Sequence, residues 1–148
     1  MSDIYEPGSV LQIVAGTNIT ISPSNGVGVV TVNSTGGGGS FTWNEITTAT
    51  TALAVANGYI MNNASPVVGT LPATASEGDE IEISGKGAGG WSIAQNAGQT
   101  IHYGTQNTTT GTGGSLSSQN PFDFVELLCI TANTDWLAHG SQGNLTVV

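Results

Sequence analysis

Residues 36–40, Gly-Gly-Gly-Gly-Ser, divide this chain of 148 residues into two parts of different character. The residues before the run form short stretches in which apolar and polar side chains alternate. The residues after it carry all three tryptophans and the one cysteine. A β-stranded segment as short as residues 1–35 cannot bury a core of its own. We therefore expect residues 1–35 to form a neck stabilised by neighbouring chains, residues 36–40 a pliant joint, and residues 41–148 a globular head.

Charged residues are few, and most of them are acidic. Asp, Glu, Lys and Arg make up 7% of the chain, against about 25% in ordinary soluble domains. Lys86 is the only Lys or Arg residue, and the net charge is −9. Nucleic-acid binding needs a basic surface, so that class of partner is excluded. Anionic membrane surfaces are disfavoured for the same reason, and no apolar run approaches the roughly 20 residues that span a bilayer.

Apolar and polar residues alternate with a period of two, which is typical of β-strands. In the neck this pattern predicts strands at residues 10–14, 18–21 and 29–32. In the head, Asn57-Gly58 predicts a hairpin turn between strands at residues 52–55 and 59–61, because Asn-Gly readily adopts the positive φ angles of such turns.

A second hairpin is predicted at residues 96–98, Asn-Ala-Gly, between strands at residues 91–93 and 100–103. Residues 79–83 alternate, so Glu80 and Glu82 are expected on one exposed strand face. Residues 104–119 are rich in Gly, Thr and Ser, and they predict a long surface loop.

Residues 122–131 give the strongest strand signal. Phe124, Leu128 and Ile130 alternate with a second apolar set that includes Leu127 and Cys129, so both faces should be covered, one of them by another sheet or by a neighbouring subunit. Many short strands joined by Gly, Asn and Thr turns predict an all-β, antiparallel β-sandwich or jelly-roll-like head preceded by a short β-stranded trimeric neck.

Two stretches of the neck, Gly-Thr-Asn-Ile-Thr-Ile at 16–21 and Gly-Val-Val-Thr-Val-Asn at 28–33, resemble the repeating strands of trimeric phage tail-fibre shafts. Residues 41–45, 85–99 and 132–136 of the head are similar to C-terminal domains of phage tail-fibre and receptor-binding proteins. The resemblance implies an extracellular, homotrimeric fibre tip of a virion that binds a host receptor, often a cell-surface carbohydrate. The alternative is a structural trimerisation or capping module with no ligand of its own.

The best candidate for carbohydrate binding is an aromatic residue with amide neighbours, because saccharides stack on aromatic rings while amides bind their hydroxyl groups. Trp91 alternates with Ile93, however, which is the pattern of a core-facing residue, so the core is favoured over a binding role for this residue. Core or subunit-interface positions are expected for Trp43 and Trp136. The candidate ligand-binding residues are Trp91, Gln95, Asn96, Gln99, His102 and Tyr103.

Catalytic and metal-binding signals are weak. Residues 77–82 carry four carboxylates without the spacing of a calcium loop, so a solvated strand face is favoured over a metal site. His102 and His139 are the only histidines, and no nucleophile or metalloprotease motif is present. We expect no enzyme activity, no cofactor and no metal. Cys129, in an apolar run, is expected to be a buried free thiol.

The oligomeric state provides the first test. If the neck and the two-sided apolar strand both need neighbouring chains, the full-length protein is a trimer at micromolar concentration. Sedimentation equilibrium measures this directly, and a stable monomer would contradict the stalk interpretation.

Overall fold

The computed structural model describes residues 19–22, 31–34 and 41–148. The chain divides into two compact units, Met1–Ser40 and Phe41–Val148. In the first unit, strands β1 (Ile19–Ser22) and β2 (Thr31–Ser34) pair antiparallel. They overlap two of the three strands predicted for the neck. The third, at residues 10–14, and the glycine run lie outside the described residues.

The second unit is built from twelve strands in two mixed sheets. The described residues contain no helix, and so none that is long and apolar enough to cross a membrane. The strands are β3 (Thr42–Ile46), β4 (Thr50–Ala52), β5 (Asn57–Met61), β6 (Val67–Thr70), β7 (Glu80–Gly85), β8 (Trp91–Ala94), β9 (Thr100–Tyr103), β10 (Gln106–Asn107), β11 (Ser115–Ser118), β12 (Phe124–Thr131), β13 (Asp135–Gln142) and β14 (Leu145–Val147).

The two sheets pack face to face around one apolar layer. The seven-stranded sheet has the order β10-β9-β13-β12-β7-β5-β3, and the five-stranded sheet has the order β14-β11-β8-β6-β4. Ile81 and Leu127 from the first sheet, and Ile93 and Leu116 from the second, are completely buried in a single cluster. Their polar neighbours in sequence face outward, as the period of two requires. The predicted all-β, sandwich-like fold is confirmed.

The strand pairing is mixed rather than purely antiparallel. Between β3 and β8 the chain crosses to the opposite sheet after each strand. As a result β3, β5 and β7 lie parallel in one sheet, and β4, β6 and β8 lie parallel in the other. The predicted hairpin at Asn57-Gly58 is therefore wrong, because both residues are the first two of β5. The turn before β5 contains Ala56, which has a φ of 57°.

Two further predictions about local structure need correction. Gly98 does adopt a positive φ of 80°, but the strands on either side of it, β8 and β9, belong to different sheets and form no hairpin. The predicted loop at residues 104–119 includes β11, which pairs with β8 and β14 and buries Leu116 completely. Its single apolar residue among serines is too weak a local signal to identify a strand.

The crossings place the loops of the second unit at two opposite ends. Phe41 and Val148 lie at one end, which we call the Phe41 end. Five loops that connect the two sheets lie at the other, which we call the Phe122 end after an exposed residue there; these loops are residues 47–49, 62–66, 86–90, 119–123 and 143–144.

Close backbone contact between the loops at residues 62–66 and 86–90 explains why position 87 requires glycine. A Cβ atom added to Gly87 would overlap the backbone N and O of Asn63 and lie 2.8 Å from its carbonyl carbon. The amide of Gly87 donates to the carbonyl of Met61 at 2.9 Å, and Gly89 donates to Asn63 at 3.0 Å. These bonds align successive crossings of the chain.

The substitution Gly87→Ala should destabilise the protein by about 1–3 kcal/mol, because backbone atoms must move to admit the new methyl group. Gly113→Ala is the matched control, since the nearest atom to its added Cβ is a Thr109 methyl carbon at 4.0 Å. Urea unfolding measures both free energies. Equal stability of the two variants would contradict the close packing of these loops.

Candidate functional site

One row of residues crosses the outer face of the seven-stranded sheet, on the side away from the core. Trp43, Gly58, Glu82, Glu126 and Gly140 are directly paired on successive strands β3, β5, β7, β12 and β13. Four strand spacings of about 4.8 Å make the row roughly 19 Å long. We call it the outer row.

The indole of Trp43 lies flat on the sheet. A Cβ atom added to Gly58 would lie 2.5, 2.6 and 2.8 Å from the indole atoms Cδ2, Cε3 and Cε2, so the face of the ring covers this glycine. Trp43 nevertheless keeps 47% of its surface exposed, whereas Gly58 is buried. One face of the ring therefore rests on the backbone while the other is open to solvent.

At the other end of the row, a second glycine likewise lets a neighbouring side chain lie directly on the backbone of the sheet. A Cβ atom added to Gly140 would overlap Oε2 of Glu126 and lie 3.0 Å from its Cδ, so the carboxylate lies over the strand. Nδ1 of His139 is 3.9 Å from the same Oε2. The outer row is consequently flat, with an aromatic ring on one side and carboxylates on the other.

A groove of about 210 Å³ runs along the carboxylate side of the outer row. Oxygen atoms of its glutamates are hydrogen-bond acceptors for a ligand that carries hydroxyl or amino groups. Among the described residues, no three His, Cys, Asp or Glu side chains are grouped as a metal ion requires. Its lining residues are Glu80, Ile81, Glu82, Glu126, Leu127 and His139.

The carboxylates of this groove repel one another. Partial burial raises the pKa of Glu82, and the charges of Glu126 and Glu80 raise it further, while His139 opposes the shift. The chain's one Lys or Arg residue is engaged elsewhere, because Nζ of Lys86 contacts Glu45 at 2.6 Å. Groups with perturbed pKa values cluster at functional sites, where stability is given up for binding or chemistry.

The residues predicted to bind carbohydrate are divided by the structure into a buried and a partly exposed set. Trp91 is buried in the core, as its alternation with Ile93 allowed, and its Nε1 donates to the carbonyl of Asp123 at 2.9 Å. Gln95 and Gln99 are also buried, with 3% and 1% of their surfaces exposed. These three side chains therefore offer no surface to a ligand.

The buried amides instead hold loops of the Phe41 end together. Gln99 Nε2 donates to the carbonyl of Pro72 at 2.8 Å, and its Oε1 accepts the backbone N–H of Asn96 at 2.8 Å. Nδ2 of the partly buried Asn96 donates to the carbonyl of Leu71 at 2.7 Å. Buried backbone carbonyls need such donors, and this chain supplies them from neutral amides rather than charged groups.

His102 and Tyr103 are partly exposed on β9, in the seven-stranded sheet, whereas Trp91 lies on β8 of the other sheet. Nδ1 of His102 lies 2.7 Å from Oδ1 of Asn107, and its Nε2 lies 3.2 Å from Oδ1 of Asp135. The hydrogen bond from His102 is the main cause of the lowered pKa of Asp135. The histidine thus links β9 with β10 and β13, and it does not join the buried amides.

The other sequence candidates have clear positions. Trp136 and the free thiol Cys129 are completely buried, as predicted. On β12 the Leu127 face lies in the core, whereas Phe124 and Leu128 are half-buried and Ile130 is 38% exposed on the outer face.

The exposure of Trp43 excludes the core for this residue, whereas the subunit interface, the other position expected, stays a prediction. Its strand has polar residues on both sides and gives no clear inner face. The pairing of Trp43 with a glycine is the signal that identifies the site, and it depends on the parallel register of β3 and β5. That register joins residues from separate crossings of the chain, so no local sequence pattern contains it.

Comparisons with known proteins do not assign the chain to a family: no family model matches it, and no curated protein matches it significantly.

The electrostatics of the groove predict how stability changes with pH. Because the folded pKa of Glu82 lies above its ordinary value of 4.5, the folded state binds this proton more tightly. Protonation of Glu82 therefore stabilises the folded state relative to the unfolded state below pH 4.5, and this stabilisation is lost as the pH rises through the folded pKa. Glu82→Gln should therefore stabilise the protein at pH 7, by less than about 1 kcal/mol because the group is partly solvated.

Thermal unfolding of Glu82→Gln at pH 4 and pH 7 measures this effect. Glu77→Gln is the control, since it removes the same charge from an exposed turn outside the groove. A gain that is equal in both variants would show an effect of net charge alone.

Proposed function

We propose that this chain is a receptor-binding component of a virion fibre, and that its second unit binds a saccharide of the host surface on the outer row. The open face of Trp43 is the observation that carries this proposal. An aromatic ring fixed flat on a sheet, with its free face in solvent, matches the CH groups on one side of a pyranose ring. Glu82 and Glu126, two and three strands further along the outer row, accept hydrogen bonds from hydroxyl groups of the same glycan.

Other features of the chain support this function. The surface is dominated by neutral hydroxyl and amide side chains, and the protein has one Lys or Arg residue in all, which suits neither nucleic acid nor anionic lipid. The groove of about 210 Å³ is partly open to solvent, so it can receive part of a longer glycan. In this proposal the first unit is the neck that brings three copies together.

The alternative, a purely structural trimerisation module, is supported by a different observation. Phe124, Leu128, Leu137 and Ile60 are partly exposed apolar residues on the same outer face. A neighbouring chain that covered this face would bury them, but it would also bury the carboxylates of Glu82 and Glu126. Desolvating carboxylates that pair with no Lys or Arg residue is unfavourable, which favours the ligand-binding interpretation.

The test is binding of the purified full-length protein to a glycan array. Trp43→Ala should weaken binding to the recognised saccharide at least tenfold, equivalent to about 1.4 kcal/mol of lost stacking. Gly58→Ala should also weaken it, although the tryptophan is retained, because the new methyl group displaces the ring from the sheet. Thr105→Ala, an exposed substitution in the β9–β10 turn, is the control and should leave binding unchanged.

The outcomes separate the candidate functions. A trimer that binds no glycan and no host cell would contradict the receptor proposal and favour the structural module. Binding that survives Trp43→Ala would move the site away from the outer row. Incubation with the recognised polysaccharide completes the test, since shortening of its chains would show that the groove hydrolyses its ligand.

A further inference from the structure

Phe122, in the loop between β11 and β12, is held in a backbone conformation that its residue type disfavours. Its φ is 70°, in the left-handed region that side chains with a Cβ atom rarely adopt. Its side chain is 72% exposed. Glycine, asparagine or aspartate would be expected here if the position served only to turn the chain.

The surrounding loop fixes this conformation through Asp123, which is only 4% exposed. Its Oδ2 accepts the backbone N–H groups of Gln119 and Asn120, both at 2.9 Å. Its carbonyl accepts the backbone N–H of Gly85 at 3.0 Å and Nε1 of Trp91 at 2.9 Å. Strained residues persist where their surroundings determine the backbone in this way, and they concentrate at functional sites.

Packing does not compensate for the strain at Phe122. Two other non-glycine residues have positive φ angles among the described residues, Ala56 at 57° and Asn133 at 66°. Ala56 has a minimal side chain. Asn133 belongs to a residue type that tolerates this region, and its Oδ1 accepts the backbone N–H of Ala75 at 2.9 Å. Phe122 presents a large apolar ring to solvent instead.

The residues next to Phe122 in sequence, and those of the loop that contacts its own, are mostly neutral and polar. Asn120 and Asn144 are exposed, and the backbone N–H of Gln119 donates to the carbonyl of Asn144 at 3.1 Å, which brings the two loops together. Lys86, in a neighbouring loop of the Phe122 end, is already paired with Glu45. The carboxylate of Asp123 is buried and hydrogen-bonded, so it adds little charge to the surface.

We propose that Phe122 is a preorganised stacking platform for an uncharged saccharide, and that it forms a second contact region at the Phe122 end, apart from the outer row. One phenylalanine ring buries about 150–250 Å², far below the roughly 1,000 Å² of a specific protein interface. That area does suit one sugar ring, whose hydroxyl groups bind the amides of Asn120 and Asn144. The choice of a saccharide rests on the proposed function.

The test compares Phe122→Gly with Ala56→Gly in the full-length protein. Both variants relieve a positive φ, and Ala56 lies at the opposite end of the second unit. The midpoint of thermal unfolding should not fall below that of the wild type in either variant, because neither loses buried contacts. Binding to an array of neutral oligosaccharides should fall at least tenfold in Phe122→Gly alone.

Unchanged binding by Phe122→Gly would overturn the inference, as would a clear fall of its unfolding midpoint below that of Ala56→Gly, which would show a structural role for the ring. Trp43→Ala, measured on the same array, keeps the two proposals distinct. Loss of binding in Trp43→Ala but not in Phe122→Gly removes only the second contact region. A wild-type protein that binds no saccharide removes the proposed function itself.

Discussion

Apolar side chains from both sheets of the second unit meet in one buried layer, in which Ile81, Ile93 and Trp136 are fully enclosed. The chain fills this layer by crossing from sheet to sheet after nearly every strand, so two successive crossings add one strand to each sheet. Strands two positions apart in sequence, such as β3 and β5 or β5 and β7, thereby become parallel neighbours. This connectivity sets the register of the outer row, and through that register it determines which side chains share the exposed face.

The sequence predicted the strands much better than their partners. Alternation of apolar and polar residues is a local property, and it identified the strands around Ile81, Ile93 and Leu127. It did not show which of the two apolar faces of the Leu127 strand lies in the core. Pairing is a property of the whole chain. Asn57-Gly58 has the composition of a hairpin turn, yet it begins a strand, because Gly58 accommodates the ring of Trp43 rather than a reversal of the chain. Leu116 alone among serines gave too little signal for its strand.

The candidate site could not be predicted from the sequence, because it too depends on how the whole chain packs. Alternation with Ile93 favoured the core for Trp91, but the polar neighbours of Trp43 gave no inner face, and only the packing of the sheets places its ring on the surface. Amides near Trp91 predicted a polar binding site, but the side-chain amides of Gln95 and Gln99 donate their hydrogen bonds to backbone carbonyls of the Phe41 end. In a chain with so few charged residues, neutral amides must satisfy the interior as well as the surface, so their clustering indicates little about ligands.

The position of β3 has a mechanical consequence. The chain enters the second unit at Phe41 and continues directly into this edge strand, which pairs with β5 along five residues. A pull between Phe41 and the Phe122 end acts along the length of β3. The hydrogen bonds between β3 and β5 are then loaded together in shear, whereas a pull across the sheet would break them one after another. A unit held at the Phe122 end and tethered at Phe41 is therefore oriented to resist force through the collective strength of its strand ladder.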